Sequence, residues 1–241
     1  MVKKAKGKGK IRMKETDQGV KWFNTIYYPN NKVFGAVHYE DRVLPRLRKN
    51  KVVLFTPWGP RYSSAERGVE IESQGKEIEV LRFLSDMIAC WKARMGEKEF
   101  SWIFLGADLY GTRINPLNKE SISDYFEWLR LWLSDLIPEA TFRLWSEFDI
   151  KAEAYRQEVV NNFDSLSNPG LLERAERTAK AMGFGSSGKD YLVERFAEAT
   201  LMEEKFEPIK ISCVHPSKDA TVDLKLPRLY LLPDKLLAPW L

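Results

Sequence analysis

Three short apolar runs separated by two long helical patterns constrain this fold more than any other feature of the sequence. The runs are VVLFT (residues 52–56), FSWIFL (100–105) and TFRLW (141–145). Between them, apolar residues recur at steps of three and four from Lys76 to Met95 and from Ile122 to Leu136, which is the spacing of helices that bury one face. Strands that alternate with helices in this way pair in parallel through right-handed crossovers. The sequence therefore predicts an α/β fold with a Rossmann-like parallel sheet core and flanking helices.

The segments on either side extend this core. Aromatic and β-branched residues in VKWFNTIYY (20–28) and KVFGAVHY (32–39), separated by Pro29-Asn30-Asn31, predict a β-hairpin before it. Beyond Lys151 the pattern predicts a helical and β C-terminal region, with helices at 151–163, 170–182 and 189–203 and strands at 209–214, 221–226 and 229–232. Because the sequence has no internal repeat and no long Gly/Ser linker, we expect a single α/β domain over residues 19–241.

A basic segment precedes that domain. Seven lysines and arginines and no acid lie between Lys3 and Lys14, so the rest of the chain is slightly acidic although the formal net charge is +4. We therefore predict a flexible basic tail at residues 1–18. Two interpretations stay open: contact with RNA, DNA or another polyanion through Lys3–Lys14, or a solvated terminus.

Composition excludes several classes of protein. No apolar run approaches the roughly 18–20 residues of a membrane-spanning helix, and no apolar block of a secretory signal follows the first bases, so we expect a cytoplasmic protein with no membrane partner. Cys90, Cys213, His38 and His215 are too few and too scattered for a zinc site, and a disulfide framework is not expected. Cys213 and His215 fit either a nucleophile pair or two residues at the edge of a core.

Ligands in open parallel sheets bind outside the carboxyl ends of the strands, which singles out three loops. The first is TPWGPRYSS (56–64). The Trp58 indole could stack on a planar base, and the Arg61 guanidinium could form a bidentate pair with a carboxylate or a phosphate. The alternative is a rigid connection with the tryptophan packed as a lid. The candidate substrate-binding residues here are Trp58, Arg61, Tyr62 and Ser63.

The second loop, GADLYGTRINP (106–116), is the strongest candidate because it concentrates hydrogen-bonding groups behind a buried strand. Asp108 could act as a general base, as a partner for a ribose or amine, or as a ligand for Mg²⁺, and Arg113 could hold an anion. The alternative is an Asp108–Arg113 ion pair that staples the loop. The candidate substrate-binding residues here are Gly106, Tyr110, Arg113 and Asn115.

The third loop is SEFD (146–149). If the three strands are neighbours, Glu147 and Asp149 lie near Asp108 and form a carboxylate cluster that could hold a divalent ion or divide acid and base roles. The alternative is that these are surface carboxylates in the first turn of the next helix. Mg²⁺ is the cofactor that such a cluster would suit, although the sequence identifies no cofactor and no metal ligands.

The segment GFGSSGKD (183–190) lies one residue short of a phosphate-binding loop. Such a loop follows a strand and needs Ser or Thr where Asp190 stands, whereas this segment follows a helical pattern. We therefore interpret Gly183 as a helix C-cap and Ser186 or Ser187 as the next N-cap.

Past that loop, Tyr191, Glu194, Arg195 and Glu198 share one helix face. A polar stripe of this kind is typical of a solvated face held by pairs such as Arg195 with Glu198. If the helix instead lies across the strand ends, Tyr191 and Glu194 become candidates for proton transfer.

The order of elements, with a site loop after the first core strand and Tyr191 and Glu194 on a late helix, resembles the architecture of the small tRNA-dependent cyclodipeptide synthases, relatives of class I aminoacyl-tRNA synthetases. The resemblance is architectural. The family's Tyr and Glu are more widely spaced than Tyr191 and Glu194, and its basic tRNA-docking helix has no counterpart in ESISDYFEWLRLWLSDLIP (120–138). The H-x-G-H and S-G-G-x-D-S motifs are absent from the sequence.

Taken together, these patterns favour an enzyme of transferase or hydrolase type that acts on a nucleotide-like or aminoacyl substrate at the loops after the parallel strands. The alternative is a non-catalytic RNA- or DNA-binding protein that uses the basic N-terminal arm. The candidate catalytic residues are Asp108, Glu147, Tyr191 and Glu194.

Overall fold

The computed structural model describes most of the predicted α/β region. The described residues are 36–37, 42–59, 75–95, 98–114, 119–166, 169–182, 187–212 and 226–230. The basic tail and the first hairpin strand lie outside these ranges, as does the Cys213–His215 pair. Arg61, Tyr62, Ser63 and Asn115 lie outside them as well.

The described strands form one six-stranded sheet. Its spatial order is β1-β6-β5-β2-β3-β4, in which β6 through β4 are parallel and β1 is antiparallel to β6. Chain order reverses between β2 and β5, and this reversal marks the topological switch point of a Rossmann-like sheet. The predicted α/β fold is therefore confirmed. The strands are β1 (Ala36–Val37), β2 (Lys51–Trp58), β3 (Glu99–Gly106), β4 (Ala140–Leu144), β5 (Ile209–Ser212) and β6 (Arg228–Tyr230).

The helices agree closely with the periodicity of the sequence. Their ends differ from the predicted bounds by up to three residues; α3, for example, begins at Lys119, ahead of the apolar pattern that starts at Ile122. None of the described helices has the length and apolarity to cross a membrane. The helices are α1 (Leu44–Leu47), α2 (Gly75–Met95), α3 (Lys119–Leu136), α4 (Asp149–Asn161), α5 (Phe163–Leu166), α6 (Pro169–Met182) and α7 (Gly188–Phe206), with a π-helical turn at Tyr110–Ile114 and a 3₁₀ turn at Trp145–Phe148.

The strands predicted at 209–214 and 229–232 are confirmed in shortened form by β5 and β6, whereas residues 221–225 of the third predicted strand lie outside the described residues. The two residues of β1 fall inside the predicted second hairpin strand, and they pair with β6. The described part of the predicted hairpin therefore closes one edge of the sheet.

Alternation along the strands divides the core into two layers. Leu54, Trp102 and Phe104 point to one face and pack with residues of α2 and α3. Phe55 and Ile103 point to the other face and pack with residues of α4 and α7. Each such side chain that is fully buried contributes about 1.5–3 kcal/mol of hydrophobic free energy. These two layers hold the carboxyl ends of β2, β3 and β4 side by side.

The segment that resembled a phosphate loop begins a helix. Ser187 is the N-cap of α7, and its hydroxyl accepts a hydrogen bond from the Asp190 amide while the Asp190 carboxylate accepts from the Ser187 amide at 3.0 Å. A Cβ at Gly188 would lie 2.4 Å from the backbone nitrogen of Glu176, so only glycine lets α7 start this close to α6. The N-cap interpretation is confirmed for Ser187, and Asp190 and Gly188 serve the helix start and helix packing.

Candidate active site at the carboxyl edge of the sheet

The loop after β3 separates two polar regions at the carboxyl edge of the sheet. Asp108 lines a cavity on the side of α3. Two residues later, Tyr110 contacts α7 on the opposite side, where its hydroxyl donates a hydrogen bond to Glu198. The loop that the sequence ranked first therefore contributes side chains to both regions.

The cavity has a volume of about 400 Å³. This is within the range of small-molecule sites, about 300–1,000 Å³. Carboxylates and cations line it together with an apolar wall, a combination that suits a ligand with charges of both signs and an apolar part. The lining residues are Asp108, Glu127, Glu147, Lys119, Arg130 and Ser123, with Ile122, Phe126, Phe142 and Leu144 as the apolar wall.

Hydrogen bonds to backbone amides orient the two carboxylates that the sequence singled out. The Ser146 amide donates to Asp108 Oδ1 at 3.0 Å, which joins the loop after β3 to the turn after β4. Glu147 Oε1 accepts from the Leu144 amide at 2.8 Å, and its other oxygen is ion-paired with Arg143. Asp108 and Glu147 thus face one cavity, as the predicted adjacency of the strands requires.

Asp149 does not join them. Its carboxylate accepts two hydrogen bonds from Arg113, at 2.9 and 2.8 Å, and pairs with Arg156 at 2.7 Å. Burial by itself would raise the pKa of Asp149, but the hydrogen bonds from Arg113 and Arg156 hold it below its usual value. The predicted cluster of three carboxylates is therefore wrong, and so is the Asp108–Arg113 ion pair, because Arg113 binds Asp149 instead.

This arrangement bears on the expectation of Mg²⁺. Within the described ranges, no group of three or more His, Cys, Asp or Glu residues could hold a metal ion. The acids near the cavity are instead held by amides and guanidinium groups. The described residues therefore offer no ligand set for the divalent ion that the predicted cluster would have bound.

The acids of the polar stripe of α7 are buried and Tyr191 and Arg195 are half-buried, so the interpretation as a solvated face is wrong, although the expected Arg195–Glu198 pair is present. Glu194 is 6% exposed and Glu198 is 3% exposed. Glu194 Oε2 accepts a hydrogen bond from the Trp145 indole at 2.9 Å, and Oε1 lies 2.8 Å from Arg156 Nε and 3.7 Å from Arg113. The helix packs on one face of the sheet: Glu194 and Glu198 reach residues after β4 and β3, whereas Glu203 pairs with Arg46, ahead of β2.

The charges of this network stabilise each other. Burial by itself would lower the pKa of Arg156, but the Glu194 carboxylate, together with Glu153 and Asp149, raises it above its usual value. An acid held by an arginine and an indole is poorly placed to exchange protons with a substrate, because breaking a buried pair costs about 3–5 kcal/mol. Glu194 therefore has the geometry of a positioning residue.

Tyr110 forms the second part of the network. Its hydroxyl donates to Glu198 Oε2 at 3.0 Å, and Arg195 bonds both oxygens of that carboxylate, at 3.2 and 3.0 Å. The Arg195 guanidinium lies 5.4 Å from the Tyr110 ring centroid, and the Tyr191 ring packs edge-on at 6.0 Å. Burial and the Glu198 charge raise the pKa of Tyr110 well above its ordinary value, so the hydroxyl stays protonated and donates.

Trp58 and Gly106 have packing roles. The Trp58 ring is 1% exposed, and its indole donates to the Tyr125 hydroxyl at 2.8 Å, so the predicted stacking platform for a ligand is wrong. A Cβ at Gly106 would lie 2.8 Å from Phe142 Cζ and 3.0 Å from Phe126 Cε1. Gly106 therefore lets two aromatic wall residues of the cavity approach the backbone, so the space beside it is filled by protein side chains and not by the predicted ligand.

Several residues of the site were missed in the sequence. Positions 119, 123, 126–127 and 130 recur at helical spacing on α3 and together face the cavity, a second periodic face that was overlooked beside the apolar one. Glu77, in the first turn of α2, reads as an ordinary helix-start acid, yet it is 1% exposed. Burial and the Glu77 charge raise the pKa of Tyr125, so its hydroxyl stays protonated at neutral pH.

Comparison with solved structures places the chain among α/β proteins with Rossmann-like sheets. The PvcA protein from Pseudomonas aeruginosa is 16% identical with a TM-score of 0.53, and the match covers 83% of this chain and 76% of that one. The tyrosyl-tRNA synthetase from Archaeoglobus fulgidus, solved with L-tyrosine, is 13% identical with a TM-score of 0.51, covering 82% of this chain and 60% of the synthetase.

The CDPS from Staphylococcus haemolyticus also matches, at 11% identity and a TM-score of 0.46, over 78% of this chain and 89% of that one. No protein-family model matches the chain. No curated protein matches it in sequence. At these identities the first two likenesses establish a shared fold.

Proposed function

We propose that this chain is a transferase that acts on an aminoacyl substrate held in the cavity between Asp108 and α3. The observation that carries this proposal is the composition of that cavity. A carboxylate and an ammonium group, Asp108 and Lys119, line a space of about 400 Å³ whose wall includes Phe126 and Phe142.

An aminoacyl compound has groups that match each part of this lining. Its ammonium group is a donor for the Asp108 carboxylate, and charge-assisted hydrogen bonds of this type are about twice as strong as neutral ones. Its acyl oxygen suits the Lys119 ammonium, and an apolar side chain suits Phe126, Phe142 and Leu144. The mixed charge favours an aminoacyl ligand over a nucleotide, whose phosphates the carboxylates would repel.

The two carboxylates support different roles. Asp108, whose Oδ1 is oriented by the Ser146 amide, anchors the substrate ammonium. Glu147 is free to exchange a proton because its pair with Arg143 is exposed, and exposed pairs contribute only about 0–1 kcal/mol. It takes the proton of the acceptor as the acceptor oxygen or nitrogen bonds to the acyl carbon, and the leaving group departs with the electron pair of the acyl bond. Lys119 stabilises the charge that develops on the acyl oxygen.

The fold supports an aminoacyl substrate. The Archaeoglobus fulgidus synthetase was solved with L-tyrosine, an amino acid, and shares the Rossmann-like sheet. The proposal retains Arg61, Tyr62, Ser63 and Asn115 as substrate-binding candidates on the loops after β2 and β3. It assigns Glu194 and Tyr191 to holding the loop after β3 in place.

A transfer assay tests this proposal. Aminoacyl ethyl esters with apolar side chains serve as donors and hydroxylamine as acceptor, and the hydroxamate product is measured by its colour with ferric ion. We expect Glu147→Gln to lower the rate about 10²–10⁴-fold, the usual contribution of a general base. Asp108→Asn should raise KM, whereas Asp124→Asn, which alters an exposed carboxylate of α3 outside the cavity lining, should change neither quantity.

The proposal fails if no donor reacts faster with the protein than in buffer. It also fails if Asp124→Asn and Asp108→Asn have the same effect, because the cavity would then not be where the substrate binds.

A further inference from the structure

Three cations converge on one side of the molecule, where β4, the start of α4 and the end of α7 meet. The Arg143 guanidinium lies 5.1 Å from the Phe148 ring centroid, and the Lys205 ammonium lies 4.6 Å from the same centroid. Since both lie within about 5 Å of one ring centre, the two charges are less than about 10 Å apart. The third cation is the exposed Lys151 in the first turn of α4.

The acids of the last turn of α7 and its cap are engaged elsewhere. Glu203 is paired with Arg46 at 2.5 Å, Glu204 accepts from the Tyr155 hydroxyl at 2.6 Å, and Glu207 is paired with Lys49. Burial and the charges of Lys151 and Arg143 lower the pKa of Lys205, while Glu147 opposes this effect. Arg143 is paired with Glu147, so the fold holds three cations together against one acid, an arrangement that an anionic partner would stabilise.

We infer that the surface formed by Arg143, Lys151 and Lys205 binds the phosphodiester backbone of a nucleic acid. This surface lies on the folded body of the protein, apart from the basic N-terminal arm. It adjoins the aminoacyl cavity through the Arg143–Glu147 pair, but its ligand is a polyanion, so the inference goes beyond the proposed function. Phosphate contacts of this kind supply affinity without reading sequence.

The exposed apolar residues favour a nucleic acid over a membrane. A helix that lies on a membrane buries a whole apolar face in the bilayer. In the described part of the chain, the large exposed apolar side chains are Leu131, Ile150 and Val160, and of these Ile150, at 94% exposure, adjoins the basic surface in sequence. One isoleucine beside three cations is a poor membrane anchor, whereas clustered cations suit a polyanion.

Fluorescence anisotropy of the full chain with a labelled single-stranded RNA of about 20 nucleotides tests the inference, with DNA of the same sequence as a second arm. The variant Lys151→Gln/Lys205→Gln removes two charges and leaves the Arg143–Glu147 pair intact. The variant Lys151→Arg/Lys205→Arg keeps both charges. The matched control is Arg177→Gln/Lys180→Gln, which removes two exposed charges from α6, near the other end of α7 and about 25 Å along that helix from Lys205.

Each phosphate contact on a single strand contributes about 0.7 to the slope of log affinity against log salt. We therefore expect the slope of the double glutamine variant to be smaller by about 1.4 than that of wild type. When salt is raised from about 50 to about 200 mM, the fold-loss of affinity should then be roughly seven times smaller for the variant than for wild type. The arginine variant and the α6 control should keep the wild-type slope. The basic arm is present in every protein and cancels in the comparison.

Equal slopes for the glutamine variant and the α6 control would overturn the inference, since the binding would then reflect net charge alone. It would also be overturned if the glutamine variant bound RNA and DNA normally but lost binding to phosphatidylserine vesicles. Thermal unfolding of the arginine and glutamine variants shows whether each is folded. If the glutamine variant is unfolded, the salt slope of the arginine variant, predicted to equal that of wild type, is the deciding measurement. A lower slope for a folded arginine variant would contradict the inference.

Discussion

The Tyr110 hydroxyl donates a hydrogen bond to Glu198 Oε2 at 3.0 Å and so joins the loop after β3 to α7. Both side chains are buried, and the same loop carries Asp108 into the cavity. The position of the candidate substrate anchor therefore depends on a contact on the opposite side of the loop.

Tyr110→Phe should lower the free energy of unfolding by about 1.5–3 kcal/mol, because it removes a hydrogen bond to a buried charged group. Chemical denaturation measures this loss. Tyr155→Phe is the control, since its bond to Glu204 lies at the surface, and it should cost clearly less. Equal losses in the two variants would show that the Tyr110 contact is not buried.

Glu194→Gln should destabilise the fold by about 3 kcal/mol, because Arg156 then keeps its charge in a buried position without its most buried carboxylate partner. Glu153→Gln removes an exposed partner of the same arginine and should have little effect on the denaturation midpoint. If the two glutamine variants unfold at the same denaturant concentration, Glu194 is not the principal partner of Arg156.

Asp149 should make stability depend on acid pH. Because hydrogen bonds from Arg113 and Arg156 hold its pKa below the unfolded value despite its partial burial, its contribution is fully present above the unfolded pKa, near 4, and is lost as pH falls through that value towards the lower folded pKa. Asp149→Asn should therefore be less stable than wild type near neutral pH, and the difference should shrink as pH falls below about 4. Thermal unfolding across pH measures it, and a difference that stayed constant with pH would refute the assignment.

Gly106→Ala should both destabilise the fold and reduce the cavity, because the added methyl group would lie 2.8 Å from Phe142. Overpacking of this kind costs about 1–3 kcal/mol. Gly59→Ala is a matched control at the end of β2, where the nearest atom to the new Cβ is Ala107 Cβ at an ordinary 3.8 Å. Thermal unfolding of the two variants should separate them clearly, and equal midpoints would mean that Phe142 moves aside freely.

The sheet and the helices of the core could be predicted from the sequence because their buried residues form short apolar runs or recur at helical spacing. VVLFT and FSWIFL form β2 and β3, which pair in parallel, and the helical spacing of residues 76–95 corresponds to α2. The choice of the loop after β3 also followed from strand order, since parallel strands present their carboxyl ends on one edge.

Other features depend on contacts that no local pattern records. The sequence around Glu194 predicts a surface residue, but Arg156 and Trp145, both distant in sequence, contact its carboxylate and bury it. Asp149 and Glu147 are two residues apart, but the 3₁₀ turn between them sends their carboxylates to opposite sides. The sequence fits Trp58 equally well as a ligand platform and as a core residue. In the structure its indole donates a hydrogen bond to Tyr125 on α3, a contact that local sequence does not record.

The central claim is that Asp108 holds the ammonium group of an aminoacyl ligand in the cavity. The most direct test is isothermal titration of wild type and Asp108→Asn with L-phenylalanine ethyl ester and with the ethyl ester of 3-phenylpropionic acid, which lacks the amino group. A hydrogen bond to a charged group contributes about 1.5–3 kcal/mol, so wild type should prefer the amino ester by about 10–150-fold, and Asp108→Asn should lose that preference. If wild type binds both esters equally, or if Asp108→Asn keeps the preference, Asp108 is not the ammonium anchor and the account of the cavity is contradicted.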